Sequence, residues 1–282
     1  MTSAWLLRLN GLFLLLILGA LLTLVAMFAT DARGGPLDPP SAPTSTDGVR
    51  LPGTPISAVP YIISAPGRYY LTRDLTYNGT GNAIAIAEFL DYVTLDLNGF
   101  TLAGFNAGTG IKALGPTPPS QFPLNIQNGY VRGFQTGIDV QLAAHVRIED
   151  VHVYANTNSG ISIGNHGVID GCTSANNGTS GIGMGGALAV VRNCMIVDNG
   201  DDGVLMLGFG NILEDSQILR GDVGVRVSSS FNVIRGNTFI EQAGFSAVFA
   251  GGGAHAFLDN LYCFSSGTTA SVNFTGSLNS FC

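Results

Sequence analysis

Positive charge is scarce in this 282-residue chain. Lysine and arginine together number 12, Lys112 is the single lysine, and the formal net charge is −7. A protein that binds nucleic acid needs a basic surface to neutralise phosphates. The composition therefore argues against nucleic acid as a partner.

Charged residues of either sign make up only 11% of the sequence, whereas 39 residues are glycine. The glycines follow no strict three-residue period, which excludes a collagen triple helix. A chain of this length and glycine content is typical of one large, turn-rich, all-β domain.

The N-terminus contains a long apolar run, GLFLLLILGALLTLVAMFA, at residues 11–29, preceded by Arg8. Such a run can span a bilayer as an anchor, and it can equally be a signal peptide, with TDA at 30–32 as the cleavage site. Under both interpretations the rest of the chain is exported. We assign residues 1–30 to a signal peptide or membrane anchor and predict an extracytoplasmic location, either secreted or tethered.

A proline-rich segment follows, with seven of the twelve prolines between Asp31 and Pro60. Because it has little apolar surface to bury, we predict a linker at 31–59. The folded domain is then expected at 60–282, with an N-terminal cap at 60–80 and a C-terminal tail at 265–282. Cys263 and Cys282 could join that tail to the last coil through a disulfide bond.

A short signature recurs through the domain: glycine, an apolar residue, any residue, an apolar residue. Its copies are GIKA at 110, GIDV at 137, GISI at 160, GIGM at 181, GVLM at 203 and GVRV at 224, with weaker copies in NAIAI at 82 and SAVFA at 246. Successive signature glycines are 27, 23, 21, 22 and 21 residues apart. A period of about 22 residues indicates stacked structural repeats.

A second apolar column keeps step with the signature and ends in a bend. The column comprises Leu95, Ile126, Ile148, Ile169, Val191, Leu213, Ile234 and Leu258. From Ile126 onward, Asn, Asp or Gly follows two residues later, and these residues tolerate the left-handed conformation of a sharp bend. The pattern predicts an all-β, single-stranded parallel β-helix of about eight coils. Near Leu95 the spacing slips by one residue, which predicts a bulge.

The chain resembles the right-handed parallel β-helix proteins of the pectin-lyase-like superfamily. It also resembles uncharacterised bacterial members that open with a stretch like ISAPGRYYLTRDLTYNGTGNAIAIA, followed by VTLDLNGFTLAG. The resemblance covers residues 60 to about 264 and implies the fold, but not an activity, because the superfamily includes lyases, hydrolases, epimerases, adhesins and tail proteins.

Equivalent residues in stacked coils form ladders about 4.8 Å apart. One predicted ladder is charged and comprises Gln127, Glu149, Asp170, Arg192, Glu214, Arg235 and Asp259. We interpret it as ion pairs that fix coil register, although pectate lyases would allow an arginine base there. A second ladder, of Asn156, Asn177 and Asn199, is predicted to be structural.

The third ladder brings aspartates together. Asp201 and Asp222 occupy equivalent positions on adjacent coils, with Asp202 beside them and Asp198 in the same turn. Clustered carboxylates are unfavourable without a cation or a shared proton, and oxygen ligands suit calcium. Asp198, Asp201 and Asp222 are thus a candidate calcium site, and Asp201, Asp202 and Asp222 are candidate catalytic acids. The alternative is a solvated acidic turn.

Several catalytic motifs of related enzymes are missing. Polygalacturonases surround their paired aspartate with Asn-Thr-Asp, Gly-His-Gly and Arg-Ile-Lys, whereas this chain has NHG at 165 and no Arg-Ile-Lys, so His166 is predicted to be a turn residue. The Asp-Pro-His motif of mannuronan epimerases is absent.

The outward positions of the signature strands offer no obvious catalytic pair. They are predicted to be Ala85, Lys112, Asp139, Ser162, Gly183, Leu205, Arg226 and Phe249. Asp139 and Arg226 lie four coils apart, so we expect no acid and base to assemble there. Cys172 and Cys194, at equivalent positions on adjacent coils, are either stacked thiols or a strained disulfide.

These observations favour an exported cell-surface β-helix module that binds carbohydrate or has a structural role. The alternative is a polysaccharide lyase or hydrolase that uses the aspartate cluster. Polysaccharide is the expected partner, with the membrane as a second partner if residues 11–29 are retained. Calcium is the one cofactor that the sequence suggests.

Overall fold

The computed structural model describes residues 53–90, 92–115, 120–251 and 253–263, together with the short segments 268–270, 274–275 and 280–281. Their regular structure consists of 29 β-strands: β1 Thr54–Ile56, β2 Tyr61–Ile63, β3 Gly67–Leu71, β4 Leu75–Thr76, β5 Asn82–Ile86, β6 Val93–Asp96, β7 Thr101–Ala103, β8 Thr109–Ala113, β9 Ser120–Arg132, β10 Thr136–Val140, β11 Ala143–Tyr154, β12 Ile161–Ile163, β13 Val168–Asp170, β14 Thr173–Ala175, β15 Ile182–Met184, β16 Val190–Arg192, β17 Met195–Val197, β18 Asp202–Met206, β19 Ile212–Glu214, β20 Gln217–Leu219, β21 Val223–Val227, β22 Val233–Arg235, β23 Thr238–Ile240, β24 Phe245–Phe249, β25 His255–Leu258, β26 Leu261–Cys263, β27 Thr268–Ala270, β28 Phe274–Thr275 and β29 Ser280–Phe281.

The strands form a parallel β-solenoid of about nine turns, which confirms the predicted fold class. The signature strands make one ten-stranded sheet, in the order β2-β5-β8-β10-β12-β15-β18-β21-β24-β27, and we call it sheet 1. The other strands make a 19-stranded sheet that follows the bend of each coil. In the part of the chain that the structure describes, no helix is long and apolar enough to cross a membrane.

The solenoid extends beyond its predicted boundaries at both ends. Strand β1 begins at Thr54, inside the predicted linker, and pairs with β3. At the other end, β27 lies within the predicted C-terminal tail and pairs with β24. These additional strands raise the number of turns above the predicted eight, because sequences at solenoid ends depart from the internal repeat. The apolar run at 11–29 lies outside the described residues.

Two inward columns of apolar side chains form the core. Sheet 1 contributes Ile84, Ile111, Ile138, Ile161, Ile182, Val204, Val225 and Ala247, each 0% exposed. The second column follows the predicted order from Leu95 to Ile234, but then Ile234 pairs with Phe257. The prediction of Leu258 was wrong, because the step from Phe249 to the column is only one residue longer than the step from Val227 to Ile234, whereas Leu258 would require two additional residues.

The bend after the second column has the predicted left-handed conformation. Its positive-φ residues are Asn98, Asn128, Asp150, Gly171, Asn193, Asp215, Gly236 and Asp259, the last of which lies one residue before the predicted Asn260. In the first full coil the bend has four residues between Asp96 and Thr101, whereas the next coil has two between Gln127 and Tyr130. The four include the buried Leu97 and Asn98 and Gly99, both at positive φ. The predicted irregularity near Leu95 is thus confirmed.

Buried amides connect the coils at the turn that precedes sheet 1. Asn156 Nδ2 donates to Asn177 Oδ1 over 2.9 Å, and Asn177 Nδ2 donates to Asn199 Oδ1 over 3.0 Å. The three side chains are only 2–4% exposed. The predicted amide ladder is therefore a buried hydrogen-bond chain that holds adjacent turns in register.

Two further amide contacts, which the sequence reasoning missed, occupy the other corners of the coil. Asn237 Nδ2 donates to Asn260 Oδ1 over 3.1 Å at the bend. At the turn after sheet 1, the Asn211 backbone N–H donates to Asn232 Oδ1 over 2.8 Å. All three corners of the solenoid are thus joined through buried amides along part of its length.

The charged ladder forms ion pairs, but in fewer steps than predicted. Arg192 binds Asp170 at 2.8 Å, and Arg235 binds Glu214. Arg235 stands opposite Leu258 rather than Asp259, in step with the pairing of Ile234 and Phe257. All of these side chains are partly exposed, so the pairs contribute to register more than to stability.

The amide ladder makes a direct prediction about stability. Replacing Asn177 with Ala removes one hydrogen bond from each of four buried groups, which include the Asn156 side-chain amide and the Ser174 hydroxyl. We expect a loss of about 2–3 kcal/mol in the free energy of unfolding, measured by chemical denaturation. The exposed Asn158, two residues after Asn156, provides the control: Asn158→Ala should change the stability by less than about 0.5 kcal/mol. Equal losses in the two variants would contradict a structural role for the ladder.

Candidate functional site

The aspartate cluster lies where the chain enters sheet 1. Asp202 is the first residue of β18 and pairs in register with Val223 of β21. Asp201 and Asp222, the residues before them, are therefore level with one another on adjacent coils, and both are exposed. This is the contact that the repeat predicts.

Asp202 differs from its neighbours because it is buried. Its side chain is 7% exposed, and its carboxylate accepts hydrogen bonds of 2.8 and 3.1 Å from Arg226 Nε. Burial raises the pKa of Asp202, and the negative charges of Asp201 and Asp222 raise it further, against the opposing effect of Arg226. Asp202 therefore takes up a proton more readily than an aspartate with an ordinary pKa.

Asp198 is held apart from the cluster. Its two carboxylate oxygens accept hydrogen bonds of 2.8 Å from Arg220, on the next coil. These hydrogen bonds lower the pKa of Asp198. Because a guanidinium already occupies both oxygens, Asp198 is not free to bind a cation with Asp201 and Asp222.

The geometry does not support the calcium site predicted for Asp198, Asp201 and Asp222. Among the described residues, no group of three histidine, cysteine, aspartate or glutamate side chains is placed to hold a metal ion. The repeat correctly predicted that Asp201 and Asp222 are level on adjacent coils. It did not take into account Arg220, which occupies the position equivalent to Asp198 one coil later.

The outward column of sheet 1 contains one acid and base pair, so the expectation that none assembles there was wrong. Lys112 and Asp139 occupy the same outward position on adjacent coils and form an ion pair. A second pair joins Arg226 of this column to Asp202, a buried residue at the start of β18. The sequence contained the signal for the first, because Lys112 and Asp139 follow one another in the outward column.

The outward column itself is confirmed from Ala85 to Arg226, but the next member is Val248 rather than the predicted Phe249. Phe249, which was predicted to face outward, is 1% exposed. It is the second inward apolar residue of its signature, and its ring packs against His255 and Phe257 in the core.

His166 is a turn residue, as predicted. It has a positive φ, and its ring stacks on that of His145 with centroids 4.8 Å apart. The two rings lie beyond the C-terminal ends of the strands of sheet 1, whereas the aspartate cluster lies at the N-terminal ends of those strands. Neither ring is therefore placed to act with the aspartates.

The cysteines fall into two classes. Cys172 and Cys194 are free, buried thiols, which agrees with the interpretation as stacked thiols. Burial raises the pKa of Cys172, and it raises the pKa of Cys194 to about 12. Neither thiol is activated as a nucleophile. Cys263 is disulfide-bonded, and Cys282, its predicted partner, lies outside the described residues.

Comparison with protein families matches residues 136–278, just over half of the chain, to the model described as a right-handed β-helix region. The chain belongs to the right-handed β-helix family. This match agrees with the parallel solenoid and with the resemblance to pectin-lyase-like proteins. Comparison with curated protein sequences finds no match.

Solved structures of the same fold include three for which the likeness is clear. An alginate lyase from Paenibacillus sp. is 15% identical, with a TM-score of 0.58 over 76% of this chain and 88% of that chain. A protein of Geobacillus virus E2 is 11% identical, with a TM-score of 0.60 over 81% of this chain and 52% of that chain. A lacto-N-biosidase from Eubacterium ramulus is 8% identical, with a TM-score of 0.54 over 79% and 59%. At these identities the likeness establishes the fold alone.

The opposite pKa shifts of Asp202 and Asp198 predict opposite effects of pH. A raised folded-state pKa means that protonation of Asp202 stabilises the fold, so its contribution is full below about pH 3.9 and is lost as the pH rises through the folded pKa. The contribution of Asp198 is present above that unfolded value and is lost as the pH falls.

We therefore expect the melting temperature of the wild type minus that of Asp202→Asn to decrease as the pH rises from about pH 4 to pH 7. Relative to Asp198→Asn, the melting temperature of the wild type should increase as the pH rises to about pH 4 and should then level off. Circular dichroism melts at four or five pH values would measure both trends. A flat difference for Asp202→Asn, or trends of the same sign in both variants, would contradict this assignment.

Proposed function

We propose that the chain is an exported cell-surface β-helix module that binds carbohydrate. One observation carries the proposal: Asp201 and Asp222 present two exposed carboxylates from adjacent coils, whose backbones are about 4.8 Å apart, and no ion pair of either is found in the described part of the chain. Ionised carboxylates only accept hydrogen bonds. A ligand rich in hydroxyl donors complements them.

The pair beside these carboxylates supplies the opposite kind of group. Arg226 binds Asp202 through Nε, while its side chain remains 34% exposed, so other guanidinium N–H groups are available to donate. We name Asp201, Asp202, Asp222 and Arg226 the acidic shelf. Acceptors and donors fixed on adjacent parallel strands are suited to the alternating hydroxyl and ether oxygens of a sugar chain.

Two further observations support this ligand class. The solved structures that share the fold at a TM-score above 0.5 include an alginate lyase and a lacto-N-biosidase, both carbohydrate-active enzymes. The apolar run at 11–29 is suited to export, with the domain either released or kept at the membrane. A polysaccharide outside the cytoplasm is therefore the partner that we propose.

Neutralising the shelf tests the proposal. We expect Asp201→Asn combined with Asp222→Asn to weaken binding of the full-length protein to its preferred polysaccharide at least tenfold, because amides replace two charged acceptors. Affinity electrophoresis through gels that contain neutral or uronate polysaccharides would measure the change.

The matched control removes the same charge elsewhere. Asp150 and Asp215 are exposed bend residues with left-handed backbones, a conformation that Asn also adopts. Asp150→Asn combined with Asp215→Asn should leave the retardation by each polysaccharide, measured relative to a gel without polysaccharide, the same as in the wild type. Equal retardation of wild type and shelf variant would exclude the shelf, and the absence of retardation in all gels would exclude the proposed function.

The alternative function, a polysaccharide hydrolase or lyase, is favoured by one feature. Glycoside hydrolysis requires a protonated acid and an ionised carboxylate at one site. Asp202 has a raised pKa, and the exposed Asp201 and Asp222 adjoin it. Against this role, Asp202 is nearly covered and is bound by Arg226, which limits its access to a glycosidic oxygen.

Turnover distinguishes the two functions. Incubation of the full-length protein with the same polysaccharides, with and without calcium, is expected to release neither reducing ends nor unsaturated products. Release that disappears in Asp202→Asn and persists in the Asp150 and Asp215 control would instead establish the enzyme.

A further inference from the structure

The turns that follow sheet 1 on three successive coils, at 185–189, 207–211 and 228–232, expose large apolar side chains. Leu188 is 49% exposed, Leu207 52%, Phe209 54% and Phe231 65%. We name these four residues the platform. Single exposed apolar residues are ordinary on protein surfaces, but a group on adjacent coils marks an interaction site.

The platform rests on a rigid base. Asn211 and Asn232 lie beneath it at 0% exposure. The backbone N–H groups of Ala189 and Asn211 donate to Asn211 Oδ1 and Asn232 Oδ1, each over 2.8 Å. The two Asn side chains also donate to the carbonyls of Gly208 and Ser229 in their own turns. Because the turns are fixed from inside, a ligand would meet side chains that need little further ordering.

Two platform residues occupy a backbone position that disfavours them. Leu188 and Phe231 have φ values of 57° and 61°, in the left-handed region. The equivalent residues of other coils are His145, His166, Gly210 and Ala254. His and Gly adopt this conformation more readily, and Ala is small. Leu188 and Phe231 remain about half or more exposed, so burial offsets little of the cost of this conformation and their contribution to folding does not explain their presence.

The absence of charged residues from the three turns favours an uncharged ligand. The three turns contain no charged residue, although the chain has a net charge of −7. The turn at 228–232 adds the hydroxyl groups of Ser228, Ser229 and Ser230. Apolar side chains with neutral hydroxyls match the C–H faces and hydroxyls of uncharged pyranose rings, whereas an anionic chain would meet an acidic protein without a compensating cation.

We propose that the platform binds a neutral polysaccharide that runs along the solenoid axis. The coil repeat of about 4.8 Å is close to the length of one sugar unit, so successive rings would meet successive turns. This inference rests on the proposed function and adds a second contact region. Asp202 begins β18 and Leu207 follows its end, so the acidic shelf and the platform flank sheet 1 on the same coils.

The test removes the two rings. Full-length Phe209→Ala combined with Phe231→Ala should bind a neutral polysaccharide at least tenfold more weakly than the wild type, while Phe209→Trp with Phe231→Trp should retain binding. The control is Phe89→Ala with Phe105→Ala, since these rings are 69% and 66% exposed and lie outside the platform. Melting temperatures of all variants would confirm that they fold.

The outcomes separate this inference from the proposed function. If the wild type binds no polysaccharide, both are excluded. If it binds, and the acidic-shelf variant loses binding while the platform variant does not, the platform is excluded and the proposed function stands. A wild-type dimer in light scattering, or sedimentation with phosphatidylcholine vesicles, that the platform variant abolishes would assign the platform to a second copy or to lipid and overturn the inference.

Discussion

The structure depends on one constraint, which is that buried polar groups at the corners of a coil need hydrogen-bond partners on the next coil or in their own turn. Strands supply such partners along their length, but turns interrupt the pattern. Here Asn156, Asn177 and Asn199 span that interruption with buried amide bonds. Because an amide both donates and accepts, one residue type can repeat in a column without a change of chemistry. Register is thereby fixed at the corners, where strand pairing alone would leave it loose.

Because the register is fixed, the repeat shows which residues of adjacent coils are in contact. Residues that share a column become neighbours, so that Lys112 meets Asp139 and Arg192 meets Asp170 without any local sequence relation. The same rule explains why Asp201 and Asp222 stand side by side, although 20 residues separate them. In such a fold, a functional surface requires only suitable residues at equivalent positions, since the backbone already places them.

The repeat predicted the fold, the core columns, the bends and the amide ladder, because each depends on spacing alone. It did not predict the relation of Asp202 to Arg226 or of Asp198 to Arg220, because those pairs depend on the directions of long side chains. It also failed at the last coil, where one additional residue before β25 places Phe257 in the column, whereas the prediction of Leu258 assumed two. A solenoid accommodates such an insertion in a turn without a change in the stacking of its coils. The composition of the sequence does not show how many residues a turn contains.

The stability of the fold does not explain why an aspartate occupies position 202. Its neighbours in the column include Thr109, Thr136 and Val223, all uncharged, so the fold does not require a carboxylate there. Burying a charge is unfavourable even when it is paired, and the raised pKa indicates that Arg226 compensates only in part. A residue that opposes the local pattern without structural gain is typical of a functional site. The carboxyl group at 202 therefore belongs with the exposed Asp201 and Asp222, rather than with the ladders that hold the coils together.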